Sequence, residues 1–470
     1  MTTGNEKKAI KAGTWYTVAN YLSKGFVYLS IPIFSSFMTK VEIGKYMNIN
    51  AWLQILLPLL TFEFYSSLTL ARYDYKDEFD HYTSSTLIYG LIVSSIIGAV
   101  FLIFSATFEQ LFSMDHYTLV ITVLYIVFFP ALQYYQTIAM FRYEHKKVAF
   151  ITMLNLIVPL AFSLLFALTW KNRLAGRIVG YYVPTIMICL VLLILYIFRG
   201  KGVSFKYLSY ALKISFPLIW HVLAIHMLAT GDRIVITKVL GDESNALYTI
   251  AYTVCGIVTI LWSSMNSAWS AWCTERMHFQ DSSSLRRMGK PYLLFFAAIM
   301  VVVLLIAPEV LLLMGGGKGY YEARFVIPPI LIGLVSQFVY SMYVNIEFYY
   351  KKQVRISIGT IIATVLNVGL NIIFVPKFGY IAAAYTTLFG YLTLLLYHFL
   401  AVKISKLGEW YDDKFNLLVV SVFLLSLPLF IYLYDHSVIR YAVLATYAVV
   451  LSFVAFRNKD KLIAAWKKLR

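Results

Sequence analysis

The chain has 470 residues, 60% of them hydrophobic and only 13% charged, with a mean hydropathy of +0.73. Soluble domains run at about 45–50% apolar and about 25% charged, so this composition excludes an ordinary soluble enzyme and makes the bilayer the main solvent. The formal charge of +17 comes from Lys and Arg in short connections between apolar blocks; with no basic stripe or arm, nucleic acid is not an expected partner.

Before the first apolar block, Met1 to Gly13 carries Lys7, Lys8 and Lys11. This looks like the start of a signal peptide, yet the next block is long, polar in places and lacks a small-residue cleavage site, so the first helix is expected to be retained. Apolar runs of about twenty residues, enough to cross a hydrocarbon core of about 30 Å, predict an all-α integral membrane fold of about fourteen transmembrane helices. They fall at 14–38, 44–70, 85–108, 117–141, 148–170, 178–198, 209–235, 245–274, 291–313, 324–350, 356–376, 379–402, 415–434 and 438–456.

The positive-inside rule orients them. In or beside the segments that share a side with the N-terminus lie 28 Lys and Arg, against 11 on the other side, so both termini are expected in the cytoplasm. One connection dissents: Lys171, Arg173 and Arg177 would lie outside.

The order reads as an N-terminal six-helix lobe (1–200), a basic cytoplasmic connector (201–208), a second six-helix lobe (209–403), a terminal helix pair (404–456) and a basic tail (457–470). An even number of spans per lobe starts both on the same side, which predicts a pseudo-two-fold axis along the membrane normal. Leu154-Asn155 recurring as Leu366-Asn367, and Gly180-Tyr181 as Gly390-Tyr391, are a weak trace of that repeat. In the tail, Leu462, Ile463, Trp466 and Leu469 share a helical spacing among Lys461, Lys467, Lys468 and Arg470, the pattern of an amphipathic helix on an anionic membrane surface.

Enzymatic chemistry has little to work with. Cys189, Cys255 and Cys273 lie in apolar blocks, odd in number and without metal-ligand spacing. Gly315-Gly-Gly-Lys318-Gly319 lacks the spacing of a phosphate-binding loop, no HExxH or nucleophile elbow occurs, and no connection is long enough for a nucleotide-hydrolysing domain. No cofactor and no metal is expected; were the chain a transporter, H+ or Na+ coupling, the membrane potential or product withdrawal would have to drive it.

Charges at bilayer depth cost about 2.5–3.5 kcal/mol each on insertion scales, so they face cavities or partners. Lys24 and Glu63 lie at matching depths of about 15 and about 14 Å in the first two spans, where they either flank a common cavity or form a static ion pair. Asp232 and Arg233, near the outer end of the seventh span, either bind substrate or anchor the helix. Neighbours on a helix point about 100° apart, so each is expected to need its own partner. His221 and His226 are five apart, about 140° around the helix, and read as packing histidines. Glu309 and Glu347, toward span ends, are expected to reach water and are assigned no role.

The eighth span offers the sharpest pattern. Tyr248, Tyr252, Cys255, Thr259, Trp262, Asn266, Trp269 and Cys273 follow at alternating spacings of four and three, one face of one helix. Aromatic faces and amides suit an oligosaccharide passage; a helix-packing seam is the competing reading. Pro32, Pro130, Pro184, Pro217 and Pro328-Pro329 permit bends within spans.

Several segments together resemble a family. Phe216-Pro217-Leu218-Ile219, Gly231-Asp232-Arg233-Ile234, Gly241, Tyr248 and Ala251-Tyr252 look like the seventh and eighth helices of bacterial polysaccharide flippases, members of the multidrug/oligosaccharidyl-lipid/polysaccharide exporter superfamily. Ser23-Lys24, Pro32-Ile33-Phe34, Glu42 and Gly44-Lys-Tyr46 agree in the first hairpin, as do Asn266 to Trp272, Asn367, Asn371, Pro376, Phe378-Gly379 and Ala382-Ala383-Ala384 further on. Ala271 departs from it, standing where many relatives have proline.

The resemblance implies two six-helix lobes around a central cavity and a flippase that moves undecaprenyl-pyrophosphate-linked oligosaccharide across the bacterial inner membrane by alternating access, for O-antigen, capsule or exopolysaccharide assembly. Its implied partners are the lipid-linked oligosaccharide, membrane lipids, a polysaccharide polymerase and a chain-length regulator. On this reading Lys24, Arg233, Tyr252, Thr259, Trp262, Asn266 and Trp269 contact substrate, and Glu63 and Asp232 take part in ion coupling. The alternatives are a cation-coupled drug exporter of the same superfamily, which would favour acidic cavity residues, and a membrane polysaccharide polymerase or acyltransferase, which would call for a long outside loop.

Overall fold

A computed structural model describes residues 25–142, 144–200, 202–317 and 319–457; Lys24 and the amphipathic tail pattern therefore lie outside the described residues. Hydrocarbon offers no partner for backbone N–H and C=O groups, so an apolar chain satisfies them within helices, and among the described residues there are helices and no strand. In chain order these are α1 (Gly25–Phe37), α2 (Lys40–Thr61), α3 (Leu68–Asp74), α4 (Phe79–Ile103), α5 (Ser105–Phe112), α6 (His116–Phe128), α7 (Pro130–Phe141), α8 (His145–Thr169) and α9 (Arg173–Gly200). The second half continues with α10 (Lys206–Leu240), α11 (Asp242–His278), α12 (Ser282–Met314), α13 (Ile327–Tyr349), α14 (Gln353–Phe378), α15 (Ile381–Ile404), α16 (Asp413–Asp435) and α17 (Ser437–Arg457).

Eleven of the described helical segments, with α6 and α7 counted as one, are long and apolar enough to cross a membrane. A bent pair makes a twelfth, and α1 and α17 add shorter apolar helices, Gly25–Phe37 and Ser437–Phe453. Each of the fourteen predicted blocks overlaps one of these. The protein is a multi-pass membrane protein with the fold class that its composition predicts.

Contacts group the chain into two compact units. The first takes residues up to Thr253 together with Met314–Lys318 and Val354–Thr386; the second takes Val254–Leu313, Gly319–Gln353 and Thr387 onward. The divisions fall inside α11 and α15.

In the first unit, α2 starts from a capping box. The Thr39 hydroxyl accepts from the Glu42 amide at 3.2 Å, and the Glu42 carboxylate accepts from the Thr39 amide at 2.8 Å. Near its start, α2 meets the first turn of α11 so closely that a Cβ on Gly44 would overlap the Asp242 carbonyl. The Asn245 side chain seals the contact by donating to the Gly44 carbonyl at 3.1 Å.

The second span is broken rather than continuous. Phe62 and Glu63 adopt left-handed backbone angles, φ 54° and 50°, and the chain resumes through a short 3-10 turn (Phe64–Ser67) into α3 with a 59° bend. Left-handed angles cost a non-glycine residue roughly 1–2 kcal/mol each, and persist where the surroundings over-determine them. Here Ser215 of α10 donates to the Glu63 carbonyl at 3.1 Å. Tyr82 of α4, fully buried, donates to the Ser67 hydroxyl at 2.7 Å, which in turn donates to the Phe64 carbonyl at 2.6 Å. Around this chain of bonds Tyr75, Tyr82, Tyr207 and Tyr210 pack with ring centroids 5.1–5.8 Å apart.

In the second unit, α13 is the most enclosed element: 83% of its span window is buried. Phe338 stacks on Phe296 of α12 at 4.2 Å, and Tyr343 donates to Asp413 at the start of α16 at 2.8 Å. Tyr434 of α16 donates to the Leu304 carbonyl of α12 at 2.9 Å. One expectation is corrected here. Glu347 does not reach water; it is 0% exposed and paired with His398 of α15, because its side chain leaves α13 on the face toward α15 and not toward the turn at Lys351.

The bend yields a test. Ser67→Ala strands the buried Tyr82 hydroxyl and is expected to cost about 1–3 kcal/mol, whereas Tyr82→Phe leaves Ser67 bonded to the Phe64 carbonyl and costs about 0.5–1.5 kcal/mol. Thermal unfolding in detergent should rank Ser67→Ala as the less stable variant; the opposite ranking would show that this bond does not hold the bend.

Candidate functional site: a cationic cavity in the first unit

The local sequence of α9 positions the site. Gly176 and Gly180 form a Gly-x3-Gly pair, the small-residue device that lets membrane helices approach closely. A Cβ on Gly176 would overlap the backbone at Phe166, and one on Gly180 the backbone at Phe162 and Ser163 of α8. The Ser163 hydroxyl donates to the Arg177 carbonyl at 3.0 Å across the same contact. Arg177 and Tyr181 each follow one of these glycines and, four apart, share one helix face. With the glycines against α8, that neighbouring face opens on a cavity of about 530 Å³.

Three other helices supply stripes to the same cavity. From α1 come Val27, Tyr28, Ser30, Ile31 and Phe34; from α2 come Tyr46, Asn50 and Gln54 at intervals of four, with Met47; from α8 come Thr152, Asn155, Leu156, Leu160 and Ser163. Gln136 of α7 and Thr253 of α11 complete the described lining. Gln136 donates to Thr152 at 3.1 Å, Asn50 donates to the Tyr46 carbonyl at 2.9 Å, and the buried Asn155 side-chain oxygen has no hydrogen-bond partner.

Arg177 is the only charged side chain in the described lining, which contains no Asp or Glu. The side chain is 4% exposed, and a guanidinium stays protonated at any physiological pH. It lies between two rings, 4.0 Å from the Phe34 centroid and 3.7 Å from that of Tyr46, and donates to the Met38 sulfur at 3.6 Å. Ring faces attract a cation without neutralising it, at about 0.5–2 kcal/mol each. The described lining thus sets a guanidinium beside amides, hydroxyls and ring faces, a combination suited to an anionic group attached to a sugar.

Arg177 is also a correction. As one of three charges in a dissenting outside connection it looked like a topology signal; α9 begins at Arg173, so Arg177 belongs to the helix. The Gly-x3-Gly pair around it and the Tyr46, Asn50, Gln54 stripe are the sequence signals that mark this position as inward-facing.

A second polar cluster lies at α10 and the start of α11. Asp232 is 1% exposed and accepts from the Arg233 amide at 2.8 Å, from the Arg233 guanidinium at 3.1 Å and from the Tyr248 hydroxyl. Arg233 also donates to the Ala229 carbonyl at 2.7 Å and lies 4.5 Å from the Tyr252 ring centroid. The expectation that the two neighbours cannot pair is overturned: the guanidinium is long enough to fold back along the helix and reach the adjacent carboxylate.

Residues 9–272 match the family model of polysaccharide biosynthesis proteins. The chain belongs to that family. Comparison with curated protein sequences finds no match. Among solved structures, the fold is similar to that of the lipid II flippase MurJ in an inward closed conformation, with a TM-score of 0.73 and 17% identity over 95% of this chain and 99% of that one. It is also similar to an inward-facing multidrug resistance MATE family transporter of the MOP superfamily, with a TM-score of 0.56 and 16% identity over 81% of this chain and 98% of that one. A MOP superfamily transporter from Pyrococcus furiosus, described as having a binding pocket of reverse polarity, gives a TM-score of 0.54 at 16% identity over 86% of this chain and 96% of that one. At these identities the likeness concerns the fold.

Among the described residues of this family member, Glu63 and the predicted eighth-span residues Tyr252, Thr259, Trp262, Asn266 and Trp269 are not part of the cavity lining. Glu63 sits in the break of the second span, 3% exposed, with the Ser66 hydroxyl at 3.3 Å. The eighth-span face is divided between the units after Thr253. Beyond that point its polar atoms turn to helix packing: Trp262 donates to Ser341 at 3.4 Å, Asn266 accepts from Asn345 at 3.2 Å, and Trp269 donates to Tyr411 at 3.2 Å while stacking on Tyr292 at 4.0 Å. Thr259 is half-buried on the same face.

The α8–α9 contact can be probed directly. Gly180→Ala places a methyl against backbone that cannot rotate away and should destabilise the protein by about 1–3 kcal/mol, read as a lowered melting temperature in detergent. An unchanged melting temperature would mean that the two helices are not in such close contact.

Proposed function

We propose that this protein is a secondary flippase that moves undecaprenyl-pyrophosphate-linked oligosaccharide repeat units across the bacterial inner membrane by alternating access, for O-antigen, capsule or exopolysaccharide assembly. The observation that carries the reading is the cavity around Arg177: one fixed cation, four side-chain amides and several hydroxyls, with no acid in its described lining. A pyrophosphate is an anion that a guanidinium holds by charge-assisted, bidentate hydrogen bonds. Tyr28, Tyr46 and Tyr181 offer ring faces to the apolar sides of sugars, while Asn50, Gln54, Gln136 and Asn155 exchange hydrogen bonds with sugar hydroxyls. A volume of about 530 Å³ suits the headgroup end of such a lipid, since ligand cavities run at about 300–1,000 Å³.

Lys24 joins the proposal on sequence grounds as a second cation, four residues before Tyr28. Arg233 and Tyr252 offer a further cation and ring on α10 and α11, and Glu63 and Asp232 remain proposed carboxylates of the cycle, the first at the bend of the second span. Family membership supports a polysaccharide substrate, and the fold is one that flippases and exporters use. A cation-coupled drug exporter fits less well, because an organic cation would meet Arg177 and no acid in that lining. Both termini face the cytoplasm on this reading, and the exported lipid passes to a polysaccharide polymerase and chain-length regulator.

The test is reconstitution in liposomes with a fluorescent undecaprenyl-pyrophosphate oligosaccharide, scoring its exposure to an outside quencher. Protein-dependent exposure is expected. Arg177→Ala should lower it by about 10- to 150-fold, the scale of one charge-assisted bond of about 1.5–3 kcal/mol lost from a buried site, and Arg177→Lys should recover only part, since an ammonium lacks the bidentate fork. Normal exposure with Arg177→Ala would refute the assignment of this cavity, and accumulation of an organic cation instead of lipid exposure would favour the exporter.

A further inference from the structure

Outside the cavity, a fully buried pair of titratable side chains lies in the second unit. Glu347 of α13 and His398 of α15 are 0% and 1% exposed, and Glu347 Oε2 is hydrogen-bonded to His398 Nδ1. Tyr340 stacks over the imidazole with centroids 5.7 Å apart and Tyr397 meets it edge-on at 5.2 Å. The second carboxylate oxygen, Glu347 Oε1, is buried and has no hydrogen-bond partner among the described residues. Three further polar groups on these helices have partners of their own. Tyr343 donates to Asp413 of α16 at 2.8 Å, Lys403 of α15 pairs with the same Asp413, and Asn345 is bonded to Asn266 of α11 at 3.2 Å.

This pair joins a carboxylate to an imidazole, two side chains that can hold one proton between them in a hydrogen bond. With one proton shared between them the pair is neutral overall, whether written as acid and imidazole or as carboxylate and imidazolium. Without that proton it carries one negative charge, which a dry apolar site disfavours strongly. A hard metal cation is a poor alternative occupant: such ions take about six to eight oxygen ligands, and only one carboxylate oxygen is available here among aromatic rings.

We propose that Glu347 and His398 form the coupling-proton site of this transporter, loading and releasing one proton per cycle; this rests on the flippase reading above. In release, the N–H bond at His398 Nε2 breaks, its electron pair stays on the ring and the proton passes to water. The remaining Nδ1–H still donates to the Glu347 carboxylate, so α13 and α15 stay joined. Uptake is the reverse. The resulting charge of −1 is tolerated only while water reaches the site, which ties the protonation state to the conformation that is open.

Two measurements test this. In detergent, without substrate, proton uptake after an acid jump is followed with a pH indicator: Glu347→Gln and His398→Asn should each take up about one proton fewer than the parent protein, and equal uptake in both overturns the proposal. In liposomes, a gradient of one pH unit should shift the steady-state leaflet ratio of the labelled lipid about tenfold for one coupled proton. Each variant should still exchange lipid without a gradient but show a gradient response near onefold. A full response in both variants, or a response lost in Glu63→Gln alone, also overturns it. Absence of any lipid exchange in the parent protein refutes the flippase reading instead, and the proton-uptake measurement then still decides whether this pair titrates. Should Glu347→Gln fail to fold, His398→Asn carries both measurements.

Discussion

A guanidinium held inside a bilayer-spanning helix bundle is the constraint on which the first unit depends. Arg177 cannot shed its charge, so the surrounding elements must make a place for it. Phe34 of α1 and Tyr46 of α2 do this with ring faces at 4.0 and 3.7 Å, which sets where both helices lie against α9. Gly176 and Gly180 bring α8 in close on the adjacent face, and the Ser163 hydroxyl closes that contact. The polar stripes of α2 and α8 then line the same space as the guanidinium. Helix packing and ligand chemistry are thus served by one arrangement: the residues that make the cation tolerable also shape a cavity for an anion with a sugar attached.

The second unit answers the same cost with pairs. Arg440, 1% exposed at the start of α17, donates to Glu309 of α12, and Tyr441 donates to the same carboxylate at 2.7 Å. Glu347 is met by His398. Pairs of this kind seldom add net stability over a well-packed apolar contact, but removing one partner is costly, so they select which helices adjoin. The two pairs differ in chemistry: an arginine fixes its carboxylate as an anion, whereas a histidine shares a proton. That difference is why one reads as a joint and the other as a site.

Between rigid helices the second span bends by 59° at two left-handed residues. The bend is locked from three sides by α10, α4 and the tyrosine cluster, so it is a defined element of the fold and not a frayed end. It places a carboxylate, Glu63, at a point where the backbone is not helical. In membranes such backbone occurs where protein or water covers it, and the Ser215 hydroxyl and the Ser66 amide, both donating to the Glu63 carbonyl, supply that cover.

Run length and hydropathy alone located the eleven or twelve membrane-crossing helices of the described residues and the two shorter apolar ones, because the hydrocarbon thickness imposes a length that a sequence must meet locally. The family was legible in short motifs along the first hairpin and the seventh and eighth helices, for the same reason: each motif serves a local bend or contact. The cavity was not legible. Arg177 stood one residue before the predicted sixth span, where a charge reads as a loop charge, and only the packing of α1, α2 and α8 around α9 shows it facing inward. The eighth-span face was correctly read as one stripe, but spacing says which residues share a face and nothing about what lies opposite. Glu347 was taken for a span end on the strength of the nearby Lys351, and its partner lies 51 residues away. The sequence by itself determined which segments live in lipid, since that depends on each segment's own transfer free energy; tertiary structure decided which polar side chains meet, since that depends on contacts between segments that sequence distance does not reveal.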